Sequence, residues 1–501
     1  MTDTPIATTT SGRVSGDRSG GVLRFRGIPF SGRIDGANRI RPATWPERWE
    51  GVRPAMTNAA PVPQNPPTYD EKGVAYHAYL NGPRDTVPVS EAGLTLNLWT
   101  PSLDPQAKRP IMVYIHGGGF ELGSPSSKRT DGSALARNGD VVVMSAAHRL
   151  GAPGYLYLDA LTDGAVKTAN LGLMDLVHLL YWIAENATAF GGDPDRVTLF
   201  GESGGGIKIA TLAMMPAARG LFQRGICQAG VFGPDAAEGG GSGFMTPEAA
   251  TERSRLLLDA LGVAPTPEAI GALDWQTITQ TSARLAKPLG EGPIFWRPVL
   301  DDDTISAAAV ADPAKALEVA LLIGTTTFEG DFFEHTYKSA ATLDRLVQRF
   351  GARGDAMAAQ YKARFKPRAE AETQATGDMM FRWPSLALAD HRARAGRATW
   401  LYQFDWQRSD PPFRPTHGSE GPFIFGTCDA CGFCIGAEDE AQVTKLVQEI
   451  WVSFARDGVP ADAATGAWAR HTAGSNLAHV LRREATTDPD YFQALRSCWS
   501  A

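Results

Sequence analysis

The sequence predicts an α/β fold built on a large, mostly parallel central sheet flanked by helices. Two observations carry this prediction. Short apolar runs that end in glycine, such as Pro110–Phe120 and Gly139–Gly151, have the composition of strands buried on both faces, as in parallel sheets. Segments with helical spacing of apolar residues separate such runs, and this alternation is typical of doubly wound sheets.

The predicted elements follow one another in order. The chain begins with short strands and turns, and an alternating strand follows at "GLTLNLWTP". After the two buried strands comes the helical segment "GLMDLVHLLYWIAENATAFGG", and then the strand, turn and helix of "RVTLFGESGGGIKIATLAMM". Later strands are predicted at "GICQAG", "EVALLIG" and "ATWLYQFDW".

The 501 residues exceed the roughly 100–200 of an ordinary domain. We interpret the chain, residues 1–501, as one catalytic domain with insertions at about 60–92, 234–317 and 335–397 that form the walls or lid of the active site. The second insertion contains a helix with Thr246 as N-cap, Pro247 at its first position and Gly262 as its stop.

Composition limits the partners of the chain. Hydrophobic residues make up 43% and charged residues 21%, which is ordinary for a globular protein. The net charge of −7 lacks the basic excess that binding to nucleic acid or an anionic membrane requires. No apolar run reaches the roughly 18 residues of a membrane span, and no secretory signal is visible. We therefore expect a cytoplasmic monomer or small homo-oligomer.

Five cysteines in a long chain argue against a disulfide scaffold. Cys428, Cys431 and Cys434 have the C-x2-C-x2-C spacing of part of a zinc or iron–sulfur site. A fourth cysteine is not nearby, so free thiols are favoured over a metal site, and we expect neither metal nor cofactor. A metal-dependent or redox protein remains the alternative for this cluster.

Ser203 in "LFGESGGGIK" is the candidate nucleophile. Glycine accounts for 53 residues, so the pattern G-x-S-x-G is weak evidence by itself. Its position between a strand and a helix is the context of a nucleophile elbow, in which Gly201 and Gly205 allow a sharp turn and close packing. A serine hydroxyl also needs a base to remove its proton and an acid to orient that base.

The acid and the base are expected downstream, each on a loop after a strand. Glu329 follows the strand "EVALLIG" by five residues. Among the downstream histidines, His417 lies in a glycine-flanked loop after "ATWLYQFDW". The others lie in helical or terminal contexts: His335, His391, His471 and His479. Because the base must be neutral, activity should rise with pH through the pKa of His417, near neutrality.

An oxyanion hole is predicted at "HGGGF", His116–Phe120, which ends a strand upstream of the serine. Backbone N–H groups placed there stabilise the charge that develops on the substrate carbonyl oxygen. Gly118, Gly119 and Gly204 are the candidate donors. Gly204, first in the helix after the serine, adds the positive end of a helix dipole.

At this point the sequence resembles the type-B carboxylesterase family of the α/β-hydrolase fold, which includes para-nitrobenzyl esterases and cholinesterases. The motifs occur in family order over most of the chain: "FRGIPF", "LTLNLWTP", "IHGGGF", "NLGLMD", "AFGGDPDRVTLFGESGG", "FEGDFF" and "HGSE". The resemblance implies the nucleophile at Ser203, the acid at Glu329 and the base at His417. It also implies the same three glycines as oxyanion donors.

The sequence departs from the family pattern at several positions. Gly204 replaces the usual alanine after the nucleophile, and Ala229 replaces a serine that supports the triad. Val62 and Gly93 stand where many members have a cysteine pair, which agrees with the absence of a disulfide. Gly421 replaces a bulky aliphatic residue after "HGSE". The missing side chains at 204 and 421 predict a roomy acyl site.

The function predicted from these residues is that of a serine carboxylesterase, which hydrolyses small-molecule carboxylic esters through an acyl-enzyme. Phe120, Val231 and Phe232 are candidate pocket residues because they lie next to motif residues in the sequence. Two alternatives remain: a specialised hydrolase of bulky xenobiotic, toxin or carbamate esters, and a non-catalytic binding protein related to the cholinesterases.

Overall fold

The fold is described from a computed structural model, which covers residues 4–67, 69–82, 87–233, 243–286, 295–337, 342–410 and 412–499. Within those ranges, the strands are β1 Ile6–Thr9, β2 Gly12–Ser15, β3 Asp17–Ser19, β4 Val22–Pro29, β5 Val52–Pro54, β6 Thr95–Thr100, β7 Arg109–Ile115, β8 Val142–Ala146, β9 Gly192–Glu202, β10 Arg224–Gln228, β11 Ala320–Thr326, β12 Thr399–Phe404, β13 Arg408–Ser409, β14 Pro412–Phe413, β15 Ala461–Asp462, β16 Gly466–Ala467, β17 Ala478–Leu481 and β18 Ala485–Asp488.

The α-helices of the described residues flank these strands. They are α1 Glu71–Asn81, α2 Ser133–Gly139, α3 Gly151–Tyr155, α4 Leu171–Asn186, α5 Gly204–Leu212, α6 Pro247–Leu261, α7 Pro267–Gly271, α8 Trp275–Ala286, α9 Ala307–Ala311, α10 Gly330–Tyr337, α11 Thr342–Phe350, α12 Ala352–Arg364, α13 Arg368–Gly377, α14 Trp383–Arg394, α15 Gly421–Phe425, α16 Glu440–Asp457 and α17 Gln493–Trp499. None of these helices is long and apolar enough to cross a membrane.

Eleven of the described strands form one sheet in the order β18-β17-β12-β11-β10-β9-β7-β8-β6-β4-β3. The pairings from β8 to β17 are parallel, and those at the two edges are antiparallel. Nearly every residue of the central strands is buried because helices cover both faces, as expected for parallel strands. The predicted fold class, a mostly parallel α/β-hydrolase sheet, is confirmed.

The topology brings the predicted catalytic loops to one edge of the sheet. Strands β7, β9, β11 and β12 are parallel, so their carboxyl ends lie at the same edge. The loop of three glycines follows β7, Ser203 follows β9, Glu329 follows β11, and the His417 loop comes after β12. Residues far apart in the sequence therefore meet because the sheet is parallel at its centre.

The second and third predicted insertions are built mainly of helices where the structure describes them, and the first contains one helix. Residues 60–92 contain α1, residues 243–317 contain α6 to α9, and residues 335–397 contain α11 to α14. The start of the second insertion, 234–242, lies outside the described residues, as do 287–294 and 338–341. Helix α6 begins at Pro247 with Thr246 as N-cap and ends at Gly262, as the sequence predicts.

A buried ion pair joins the sheet to α4. Arg149 and Asp175 are 1% and 0% exposed, and two nitrogens of the guanidinium bond the two carboxylate oxygens at 2.8 and 2.5 Å. Removing one partner leaves an uncompensated buried charge. Asp175→Ala is therefore expected to lower the free energy of unfolding by about 3–5 kcal/mol. Denaturant unfolding measures the change.

The matched control is Asp140→Ala, which removes an ion pair with Arg109 at the surface, where the Asp140 side chain is 72% exposed. That change is expected to cost about 0–1 kcal/mol. Equal costs for Asp140→Ala and Asp175→Ala would contradict the assignment of the Arg149–Asp175 pair as a buried structural contact.

Candidate active site

Ser203 lies on a strained turn between β9 and α5. Its backbone has φ 56° and ψ −124°, a conformation that residues with a side chain rarely adopt. A Cβ atom on Gly205 would lie 2.0 Å from the carbonyl oxygen of Ile115, and one on Gly201 would lie 2.4 Å from the same oxygen. Glycine at both positions therefore lets the elbow pack against β7, as predicted.

His417 and Glu329 form a buried hydrogen-bonded pair. Nδ1 of His417 lies 2.5 Å from Oε2 of Glu329, whose side chain is 0% exposed. The backbone N–H of Thr326 donates to the other carboxylate oxygen at 2.5 Å. An isolated bridge between Phe328 and Thr416 holds the two loops together. The acid is thus fixed by its own loop and in turn fixes the imidazole.

The other ring nitrogen of His417 faces the elbow. Its Nε2 lies 3.0 Å from Oε1 of Glu202, the residue before the nucleophile. The two atoms attract each other electrostatically, but no described residue is aligned to hydrogen bond with Nε2. The ring nitrogen that faces the elbow therefore carries no hydrogen bond among the described residues.

The charges around His417 favour its protonated form. Burial by itself lowers the pKa of this imidazole, but the carboxylates of Glu202 and Glu329, the hydrogen bond to Glu329 and the charge of Glu420 outweigh it. The net result is a pKa raised to about 9. This value lies above the neutral range expected from the sequence, because the sequence does not show how many carboxylates surround the ring.

A pH profile tests this environment. The base works only when neutral, so kcat/KM is expected to rise about tenfold per pH unit up to a midpoint near 9. Glu202→Gln removes one nearby charge and is expected to lower the midpoint by about 1–3 pH units. Rates from pH 5 to 10 measure both effects, with the exposed Glu252→Gln in α6 as control. A midpoint that Glu202→Gln leaves unchanged would contradict the assignment.

Three phenylalanines cover the imidazole of His417. The ring centroids of Phe332, Phe333 and Phe381 lie 5.7, 5.2 and 4.4 Å from that of His417. Phe381 comes from a π-helical stretch, Asp378–Arg382, inside the third insertion. Ala229 packs in the same apolar cluster, where the family resemblance implies a serine. Both oxygens of the acid are hydrogen bonded without help from that position.

The oxyanion loop, residues 116–120, lies against the elbow. Gly118 and Gly119 have φ values of 86° and 63°, which favour glycine. The N–H of Leu122 donates to the Gly118 carbonyl at 3.1 Å, which fixes the peptide that carries the Gly119 N–H. Gly204, the third predicted donor, begins α5 and is buried. The three glycines thus lie in one compact group beside the nucleophile.

The candidate pocket residues lie beside this loop and are mostly buried. Phe120 is 1% exposed and packs edge-on against Tyr155, with ring centroids 5.1 Å apart. Phe232 is 8% exposed, with its ring 6.3 Å from Phe120 and 4.8 Å from Phe244 in the second insertion. Val231 is 3% exposed. Their contact with substrate stays a prediction.

The cysteine cluster is packed in the core. All five cysteines of the chain are free and buried. Burial raises the pKa of the Cys431 thiol to about 11, so this thiol is protonated at neutral pH. Among the described residues, no group of three His, Cys, Asp or Glu side chains is arranged to hold a metal ion.

Some residues of the site were not singled out in the sequence. Glu202 could have been found, since it is the variable residue of G-x-S-x-G. Glu420, the last residue of "HGSE", is 0% exposed, and burial raises its pKa to about 7. Lys208 could also have been found, because it is the one charged residue in the short helix α5. Nothing in the sequence around Arg129 indicated a role in the site.

Arg129 fixes the loop that carries the base. Its guanidinium donates to the carbonyl of Gly418, the residue after His417. A second nitrogen of the same group donates to Oδ1 of Asn81 at 2.5 Å. Asn81 is the last residue of α1, so this side chain also joins the first insertion to the catalytic loop.

Comparison with known proteins identifies the family. Residues 3–494 match the family model of carboxylesterases. The chain belongs to the carboxylesterase family. As a member it hydrolyses carboxylic esters with a serine nucleophile, which confirms the function predicted from the motifs.

This carboxylesterase has bacterial relatives of similar length. It is 34% identical to a para-nitrobenzyl esterase of Bacillus subtilis over 97% of this chain and 96% of the relative. It is also 34% identical to a phenmedipham hydrolase of Pseudarthrobacter oxydans over 93% of each. A solved structure titled PNB esterase matches with a TM-score of 0.82 and 30% identity, covering 99% of both chains.

Proposed function

We propose that the chain hydrolyses esters through an acyl-enzyme on Ser203, with His417 as the base and Glu329 as the acid that orients it. One observation carries this assignment. The imidazole is held through Nδ1 by a buried carboxylate, while Nε2 faces the elbow without a hydrogen bond. That arrangement is suited to moving a proton from a serine hydroxyl.

In the first half of the reaction the Ser203 oxygen attacks the ester carbonyl carbon as Nε2 of His417 takes the hydroxyl proton. Glu329 stabilises the resulting imidazolium. The N–H groups of Gly118, Gly119 and Gly204 receive the negative charge that forms on the carbonyl oxygen. The C–O bond to the alcohol then breaks, and the alcohol leaves with the proton from Nε2.

In the second half a water molecule gives its proton to Nε2 of His417 and attacks the acyl carbon. The tetrahedral intermediate again places its charge in the oxyanion hole. Collapse breaks the bond to Ser203, whose oxygen regains the proton from the imidazolium. The acid product leaves, and the enzyme returns to its starting state with no metal or cofactor involved.

We assign the walls of the site to the three insertions, because each contributes a contact to it. In the first, Gln64 exchanges hydrogen bonds with Gly123, just after the oxyanion loop. In the second, Phe244 packs against Phe232, and in the third, Phe381 covers the base. Such walls decide which esters enter, so they set the substrate range rather than the chemistry.

A second candidate is the hydrolysis of bulky xenobiotic, toxin or carbamate esters. It is favoured by the phenmedipham hydrolase already described and by a fumonisin B1 esterase of Sphingopyxis macrogoltabida, 29% identical over 94% of this chain. A substrate series that varies the acyl and the alcohol sides separately distinguishes the two. Higher kcat/KM for bulky carbamates than for simple acyl esters would favour the specialised function.

We further propose that the protein acts in the cytoplasm as a monomer or small homo-oligomer. Five buried thiols support a reducing compartment. Size-exclusion chromatography with light scattering tests the oligomeric state, and fractionation of the source cells tests the location.

Labelling tests the nucleophile directly. A fluorophosphonate is expected to add one phosphonyl group per chain, and mass spectrometry of the peptides is expected to locate it on Ser203. Excess para-nitrophenyl acetate is expected to release a burst of nitrophenol equal to the enzyme concentration when deacylation is slower than acylation. A label on any other residue, with full loss of activity, would overturn the assignment.

A further inference from the structure

Lys208 is a buried lysine beside the oxyanion loop. It lies in α5, five residues after the nucleophile, and is 0% exposed. Its ammonium lies 2.7 Å from the carbonyl oxygen of Gly119 and 3.5 Å from that of His116. It also lies 5.3 Å from the centre of the Phe120 ring. Each of these contacts is to the oxyanion loop, although lysine rarely occupies a fully buried position.

The neighbouring titratable groups do not neutralise this lysine by pairing with it. The rings of His116 and His148 stack 4.3 Å apart, and burial lowers the pKa of His116 to about 3, so both rings are neutral. The carboxylate of Glu202 acts on Lys208 only at a distance. Burial lowers the pKa of Lys208 to about 7. A peptide carbonyl is thus the closest compensation for its charge.

Gly204 brings the same loop close to α5. An ideal Cβ on Gly204 would lie 2.3 Å from the Gly119 carbonyl oxygen and 2.6 Å from the Gly119 Cα. The methyl group of the alanine that the family resemblance implies at 204 would therefore overlap with this peptide. The space is filled by the oxyanion loop and is not left open to the acyl group, which corrects the expectation of a roomier acyl site at this position.

We propose that Lys208 is a positioning residue for ester hydrolysis, which ties the Gly119 carbonyl onto α5 at Gly204 and so fixes the oxyanion loop. The inference rests on the proposed function of Ser203. Gly118 and Gly119 have no side chains to hold them, so the loop needs fixed points on both sides. Leu122 bonds the Gly118 carbonyl, and Lys208 bonds the Gly119 carbonyl. At the pH where His417 is neutral the Lys208 amine is neutral as well, and its N–H still donates to the Gly119 carbonyl.

Stability alone does not account for a lysine at this position. Burying a lysine amine against one peptide carbonyl is costly, and an apolar side chain of similar length would fill the same space at less cost. A purely structural residue would thus be replaced by methionine without loss of turnover. Replacing a positioning residue by methionine would lower turnover, and this difference separates the two roles.

The test compares Lys208→Met with the wild type and with a control variant, Thr211→Val. The control is a buried change on the same helix. It removes a hydroxyl that donates to the Ile207 carbonyl and does not contact the oxyanion loop. Lys208→Met is expected to lower kcat about 10–100-fold with KM changed less than about threefold, because the donors lose their alignment. Affinity for a trifluoromethyl ketone analogue of the tetrahedral intermediate is expected to fall by the same factor as kcat/KM. The melting temperature is expected to stay the same or rise, and Thr211→Val is expected to keep wild-type kcat.

Wild-type kcat and analogue affinity in Lys208→Met would overturn the proposal. If Lys208→Met does not fold, Lys208→Leu decides, because it also removes the donor to the Gly119 carbonyl and fills the space with an apolar side chain. Reduced kcat in a folded Lys208→Leu supports positioning, whereas full activity overturns it. Fluorophosphonate labelling of the wild type separates the two proposals: failure to label Ser203 rejects the proposed nucleophile, whatever the Lys208 variants show.

Discussion

Ser203→Ala is expected to lower kcat for para-nitrophenyl acetate by roughly 10⁴–10⁶-fold, because the variant has no oxygen to form the acyl-enzyme. Residual hydrolysis above the rate in water is expected from the oxyanion loop and from substrate binding. Steady-state rates measured with a chromatographically pure variant determine the loss. The strained φ of 56° at this position is relieved little by alanine, so the melting temperature should change only slightly.

The control is Ser497→Ala, which removes an exposed hydroxyl on α17 and is expected to keep wild-type turnover. Hydrolysis by Ser203→Ala within tenfold of the wild-type rate would reject Ser203 as the nucleophile. It would also reject the role of His417, since the base would then have no hydroxyl to activate.

Glu329→Gln is expected to lower kcat by about 10⁴-fold, with KM little changed. The carboxylate accepts hydrogen bonds at both oxygens, one from Thr326 and one from His417. An amide keeps the shape but places an N–H toward one of these donors and removes the charge that stabilises the imidazolium. The imidazole is then held in the wrong tautomer for accepting the serine proton.

The control is Glu91→Gln, measured under the same conditions. It also replaces a carboxylate by an amide, but Glu91 pairs with Arg39 and does not contact His417. That variant is expected to retain wild-type kcat. A Glu329→Gln enzyme with unchanged kcat would show that His417 is oriented by another group, and the buried Glu420 would be the next carboxylate to test.

Local signals in the sequence predicted much of the fold and the assignment of catalytic roles. Thr246, Pro247 and Gly262 mark the ends of α6 because caps and stops depend on nearby residues. Ser203 was assigned from a turn between a strand and a helix. Glu329 and His417, 88 residues apart, were found because the order of elements in a parallel sheet restricts where partners can lie.

Contacts between distant segments could not be predicted in the same way. The sequence shows Glu202 beside the nucleophile but not that its carboxylate lies 3.0 Å from Nε2 of His417. The shift in the pKa of the base depends on that distance. Phe381 reaches the imidazole from a π-helical stretch, and hydrophobic periodicity does not reveal such a stretch. The partner of Lys208 depends on how closely two backbones approach at Gly204.

The position of Arg129 has a consequence for altering the substrate range. One guanidinium links the end of α1, through Asn81, to the backbone next to His417. One side chain therefore ties the end of the first insertion's helix to the loop of the proposed base. Substitutions in α1 that admit larger esters are expected to slow turnover of small esters as well, whereas enlarging the site at Phe232 and Phe244 leaves the Arg129 contacts intact.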